Sequence, residues 1–178
     1  MSEKTVHSIV VESAGGALKC QSRTLLAPSS SEVQLRVLAS GVCLGDQVGM
    51  HHAARYPITP GHEVVGEVVA FGESVQAHQS GMPDSSPWKF RLGQRVGLGW
   101  FSGHCNECYN CRRGLFTGCH MANATGLTRD GGWCEYVNAH ISALVPWPSD
   151  IPVQQAPMMC AGLTVFNAIR NSRNCKPG

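Results

Sequence analysis

Residues 33–46 read VQLRVLASGVCLGD, and this stretch sets the reading of the rest of the chain. Val33, Leu35, Val37 and Ala39 alternate with Gln34, Arg36 and Leu38. That period of two is expected of a half-buried strand, because successive strand side chains point to opposite faces. The strand feeds directly into 41–46, a glycine-bounded turn that carries Cys43 and Asp46. Working outward, 64–70 is a second β-rich run interrupted by Gly66, 96–100 alternates apolar residues with Gly97 and Gly99, and 133–137 is short and strand-like. Residues 77–89, rich in Ser and Pro, read as an exposed loop. Only the end looks helical: Leu163, Phe166 and Ile169 fall at three-residue intervals before Lys176-Pro177-Gly178 stops the pattern. Many short strands joined by glycine turns predict a mainly β fold, a partly open β-barrel with a C-terminal helix. No internal repeat or low-complexity tract is visible.

With 178 residues, 43% hydrophobic and 15% charged, the chain is long enough to bury one core, so a single domain is expected over 1–178. Fourteen Lys and Arg against twelve Asp and Glu leave a formal charge of +2. That is too little to drive binding to nucleic acid or an anionic membrane without a localised patch, and the densest basic cluster is only Arg112 and Arg113. No uninterrupted apolar run reaches the roughly 18 to 20 residues of a spanning helix, and 1–11 is polar and mixed where a signal peptide would be apolar. The expectation is a cytoplasmic protein with no nucleic-acid or membrane partner.

Nine cysteines are many for such a chain. The cytosol keeps thiols reduced, so metal ligation explains most of them better than disulfides do. The strongest signal is CNECYNCRRGLFTGC at 105–119, where two residues separate Cys105, Cys108 and Cys111 and seven precede Cys119. Two-residue gaps let thiolates converge on one tetrahedral zinc at about 2.3 Å. An iron–sulfur cluster also uses such gaps, but the bacterial ferredoxin run closes its fourth cysteine after three residues and adds a proline, which this segment lacks. Disulfide pairing is the remaining alternative. Four thiolates leave no vacant position on a divalent ion, so the role predicted is structural, pinning a lobe at about 103–120 that is too small to have its own core.

A second constellation is dispersed: Cys43 after the strand, His62 and Glu63 in Pro60-Gly61-His62-Glu63, and Cys160 before the helix. Singly, a cysteine in an apolar context is more often a buried small hydrophobe, and a histidine beside a glycine is usually a loop residue. Together, two thiolates and one neutral imidazole neutralise zinc while leaving a fourth position for water or an oxygen ligand, which is the composition of a catalytic site. Asp46 is placed to accept a hydrogen bond from the other nitrogen of His62, and Glu63 to approach the metal as an alternative ligand.

Cys43 in Gly41-Val42-Cys43, GHEVVGEVVAFGESV at 61–75, the four-cysteine lobe and CAGLTVFNAIR at 160–170 resemble the zinc-containing medium-chain alcohol dehydrogenases over nearly the whole chain. The resemblance implies a GroES-like catalytic domain with two zinc ions. It assigns Cys43, His62 and Cys160 to the catalytic zinc, Asp46 to the residues behind it, and Trp100 to the wall of a pocket for a small alcohol or carbonyl substrate. It implies hydride transfer to NAD or NADP, and leaves room for a homo-oligomer. Two positions depart from the pattern: where the family has His or Arg and then Ser or Thr after the cysteine, this chain has Leu44 and Gly45. Neither can hold a pyrophosphate or pass a proton. The chain also has no G-x-G-x-x-G at a strand-to-helix turn, so the cofactor is expected only where a nucleotide-binding Rossmann half is joined to it. A stand-alone zinc Lewis-acid enzyme acting as a hydrolase, lyase or isomerase, and a non-catalytic zinc-stabilised scaffold, are the alternatives. Cys20, Cys134 and Cys175, and His51, His52, His104 and His120, receive no role.

Overall fold

The structure, a computed structural model, describes residues 5–172. Cys175 and the Lys176-Pro177-Gly178 stop lie outside them. Strands β1 (Thr5–Val11) and β2 (Leu18–Thr24) form an antiparallel hairpin. Strands β3 (Glu32–Ser40), β4 (Val64–Phe71), β5 (Arg95–Leu98), β6 (Tyr136–His140) and β7 (Leu144–Pro146) form one sheet in the order β6-β3-β4-β5-β7, each pair antiparallel. The fold is therefore mainly β and open, with no closed barrel among the described residues. The hairpin is tied to the sheet's connections by Ile9 N to Trp133 O (2.7 Å) and by a reciprocal pair between Val11 and Ile58 (2.8 and 3.0 Å).

The core is the inner face of the five-stranded sheet. Val33, Leu35, Val64, Val68, Val96, Leu98 and Val137 are buried there, in one cluster with Val75 and Phe90. Burying each such side chain stabilises the fold by about 1.5–3 kcal/mol before entropy is counted. The alternation in β3 holds for Val33 and Leu35 but not for Gln34, which is also buried. Its amide donates to Leu26 O (2.8 Å) and Asn138 Oδ1 (3.1 Å), which meets the requirement that a buried polar group be bonded. Pairing between β3 and β4 shifts register twice, at Gln34/Leu35 and at Val37/Ala39. Such irregularities bend a strand, and the second one lies just before the turn that carries Cys43.

Helices are more numerous than the sequence pattern indicates. Besides α4 (Ala161–Asn171), which matches the expected C-terminal helix, there are α1 (Asp46–His52), α2 (Glu73–Ser80) and α3 (Tyr109–Arg112). These three are too short to display a repeating apolar face, which is why periodicity passes over them. The exposed loop expected at 77–89 is thus corrected at its start, since residues 77–80 are the end of α2. Gln79 on α2 is buried, accepts from Phe90 N (2.7 Å) and donates to Trp88 O (3.4 Å), fastening the following loop to the core. In α4 the three-residue spacing is present, but Leu163, Val165, Phe166 and Ile169 are all exposed.

Candidate functional site

Two groups of potential metal donors are assembled among the described residues. The first is Cys43, His62, Glu63 and Cys160; the second is Cys105, Cys108, Cys111 and Cys119. In each group the ligand atoms all lie within 4.8 Å of one another.

The dispersed group depends on four glycines that let backbone segments approach closely. A β-carbon on Gly41 would come within 2.0 Å of Glu63 Oε2, so Gly41 is what admits the Glu63 carboxylate. Gly61 has φ +98°, open to glycine and disfavoured for other residues, and a side chain there would strike the Trp133 indole. Gly97 and Gly99 clear the face of β5. Substituting β-carbons would stand 2.5 Å from Met159 Sδ and 2.8 Å from Met159 O, so these glycines let the 3-10 helix Val153–Met159 settle on the sheet and bring Cys160 to Cys43. The two thiol sulfurs are 3.9 Å apart. A tetrahedral zinc at about 2.3 Å from each sulfur separates them by about 3.8 Å, whereas a disulfide needs about 2.05 Å.

Asp46 organises the centre. One carboxylate oxygen accepts from Cys43 N (2.9 Å), and the other from His62 Nδ1 (2.7 Å) and Gly61 N (3.2 Å). His62, Asp46 and Glu63 are all buried. A carboxylate accepts only, so His62 carries its proton on Nδ1 and turns the lone pair of Nε2 toward the thiols. Nε2 and Glu63 Oε2 are both buried without a hydrogen-bond partner. Unpartnered buried acceptors of this kind carry a desolvation penalty of about 1–3 kcal/mol each, and a cation among them removes it. The Cys160 thiol is pushed up to about 11, first by burial and then by the neighbouring Cys43. The donor set of two sulfurs, one imidazole nitrogen and one carboxylate fits a divalent zinc ion.

The surroundings differ in polarity. Trp100 stands edge-on to His62, ring centroids 4.9 Å apart at 81°, and is itself partly exposed. Val42 and Leu44, on either side of Cys43, are exposed apolar side chains. Gly45 lies against the imidazole: a β-carbon there would be 3.0 Å from His62 Cε1 and 3.4 Å from Nε2.

The lobe is built locally. Cys105 Sγ lies 3.9 Å from Cys111 Sγ and 3.5 Å from Cys119 Sγ. Backbone N–H groups point at the sulfurs, from Cys108 to Cys105 (3.4 Å) and from Met121 to Cys119 (3.3 Å). Asn106 supports this turn with φ 65°, a conformation asparagine tolerates better than most residues. The N–H of Cys111 is the main cause that lowers Cys108 to about 6, while desolvation pushes Cys111 up to about 12. Backbone dipoles thus favour thiolate at one donor, and burial opposes it at another until a cation is present. His104 stacks on Phe116 (4.2 Å, 14°) and lies 5.5 Å from the Phe101 ring, joining the lobe to the end of β5.

The sequence named the eight residues that these two groups bring together and missed the packing that gathers them. The signal for it was present in the Gly97 and Gly99 alternation, which reads as strand punctuation until the close approach of Met159 is seen.

Set against known proteins, the family described as alcohol dehydrogenase GroES-like domain matches residues 29–149. Alcohol dehydrogenase patD of Aspergillus clavatus is 38% identical over 162 residues, covering 89% of this chain and 39% of that protein. Alcohol dehydrogenase notN of an Aspergillus species is 33% identical over 171 residues, covering 94% and 47%. A solved cinnamyl alcohol dehydrogenase of Sorghum bicolor superposes with a TM-score of 0.79 at 28% identity, covering 98% of this chain and 50% of that one. The chain spans about half the length of the relatives it matches.

Proposed function

The chain belongs to the GroES-like domains of the zinc-containing medium-chain alcohol dehydrogenases, and on that premise we propose that residues 1–178 are a catalytic domain that interconverts an alcohol with its aldehyde or ketone. NAD or NADP would be supplied by a nucleotide-binding half joined to it. The observation that carries this reading is the convergence of Cys43, His62, Glu63 and Cys160 with Asp46 hydrogen-bonded behind the imidazole.

In this proposal Cys43, His62 and Cys160 hold a catalytic zinc, and Cys105, Cys108, Cys111 and Cys119 hold a structural one. When bound, the catalytic ion supplies a Lewis acid that makes an alcohol hydroxyl more acidic and polarises a carbonyl, and nicotinamide supplies the hydride acceptor or donor. The residues of the chain do the rest. Asp46 keeps the Nδ1 proton in place, so that Nε2 of His62 stays a donor atom throughout the cycle. Glu63 offers a carboxylate oxygen beside the thiols as an alternative ligand. Trp100, with its edge on His62, offers an aromatic wall on the substrate's side of the site. Val42 and Leu44 add apolar surface next to Cys43, suited to the hydrocarbon part of a substrate.

Leu44 and Gly45 favour a second reading, a zinc Lewis-acid enzyme that transfers no hydride, because neither side chain can hold a pyrophosphate or relay a proton. Fusion of the chain to a nucleotide-binding half of a family member decides between them. Cofactor-dependent oxidation of a primary alcohol by the fusion, abolished by His62→Ala, supports the dehydrogenase; a folded, zinc-loaded fusion without such turnover rejects it.

A further inference from the structure

Away from both donor groups, a groove of ≈ 640 Å³ runs between the β1–β2 hairpin and the five-stranded sheet. That volume is in the range of small-ligand sites. Its charged lining residues are Arg23, Arg55, Arg129, Glu32 and Asp130, three guanidinium groups against two carboxylates. Arg129 is engaged by Glu32. The other carboxylate is shared. One oxygen of Asp130 accepts from Thr59 N (2.9 Å), and the second faces both Arg23 (3.3 Å) and Arg55 (3.6 Å). Charge-assisted bonds from a guanidinium are normally about 2.7–2.9 Å, so both contacts are stretched. Arg23 adds a bond to Thr59 Oγ1 (3.2 Å), whereas Arg55 is the more exposed of the two and holds only the longest contact with Asp130 among the described residues.

We propose that this groove binds a small ligand through an oxyanion group, a carboxylate or a phosphate, received by Arg55 and Arg23. A guanidinium presents five N–H donors in a rigid fork that matches two oxygens of such a group, and one shared carboxylate cannot use the donors of two guanidinium groups. A bound oxyanion would restore the balance of charge that the lining residues lack. The site is also connected to the dispersed donor group. Thr59, held by Asp130 and bonded through its carbonyl to Gly131 N (2.7 Å), lies three residues before His62. An occupant of the groove would therefore bear on the segment that positions the imidazole.

Calorimetric titration of the metal-loaded chain with inorganic phosphate and, separately, with malonate at constant ionic strength tests this. Saturable binding of one anion per chain is expected, with the stronger of the two probes naming the oxyanion. Arg55→Gln, at an exposed position, should weaken it about ten-fold. Arg36→Gln removes a guanidinium that pairs with Glu67 on the sheet outside the groove and should leave binding unchanged. Absence of saturable binding to either anion overturns the proposal. So does binding that Arg55→Gln leaves intact, which would put the anion at a metal centre, or equal weakening by both variants, which would make it a general surface effect.

Discussion

The two donor groups achieve the same convergence in opposite ways. In the lobe, four sulfurs come together within a fifteen-residue segment, and turn geometry alone brings them into range: Asn106 with positive φ, backbone N–H groups on the sulfurs, and the short helix α3 beginning next to Cys108. In the dispersed group the donors lie on a turn after β3, at the entry to β4 and at the junction between the 3-10 helix and α4, with Cys43 and Cys160 separated by 117 positions. On the proposed reading, a metal would stabilise the first, a structure built from local turns. In the second, a metal would occupy a site whose segments the sheet already positions. The difference predicts that equal chemical damage will have unequal consequences.

The largest effect is expected in the lobe. Cys108→Ser should lower the zinc content from two ions to one per chain and destabilise the lobe, because zinc sites in small peptides supply an apparent 10–16 kcal/mol or about that much binding energy to folding. Metal analysis with thermal unfolding reads both quantities. An unchanged melting temperature in a variant that has lost its zinc would break the comparison, since the lobe would then stand without metal.

Next come the dispersed donors. Cys43→Ala, His62→Ala and Cys160→Ala should each remove one zinc while circular dichroism and the cooperative unfolding transition stay close to those of the parent, because the core of Val33, Leu35, Val64 and Leu98 is untouched. Loss of both ions would show that the two groups are not independent.

A smaller effect is expected one step behind the ligands. Asp46→Asn keeps an acceptor for Cys43 N but no longer provides a carboxylate on His62 Nδ1, so zinc affinity at the dispersed site should fall 10–100-fold, or about that, with the lobe unaffected. Competition with a chromophoric chelator measures it. Equal weakening at both sites would indicate general destabilisation.

The smallest effect concerns a thiol that belongs to neither group. The single S–H of Cys134 has two carbonyl acceptors in reach, Gly131 O (3.2 Å) and Tyr136 O (3.0 Å), and burial pushes the thiol up to about 12, whereas Cys20 is exposed. A raised value keeps the thiol neutral and unreactive at pH 8, since the thiolate is the nucleophile. Alkylation followed by peptide mapping should label Cys20 well before Cys134. Comparable rates would mean that the segment carrying Cys134 opens readily.

The sequence by itself determined what is local. Alternation in 33–39 identified a half-buried strand, the spacing of 105, 108, 111 and 119 identified the lobe, and four short segments identified the family, because each of these signals is written in residues close together along the chain. It also named the dispersed donors and grouped them around one ion with Asp46 behind His62, but not the packing that brings them together. Tertiary structure alone decided how they meet and what surrounds them. Gly97 and Gly99 admit Met159, Gly41 admits Glu63, and Asp46 gathers Cys43, Gly61 and His62 through one carboxylate. It likewise decided that Gln34 is buried and that Arg23 and Arg55 share Asp130. Contacts between residues far apart in the chain depend on sheet register and backbone approach, and no periodicity in the sequence encodes a distance of that kind.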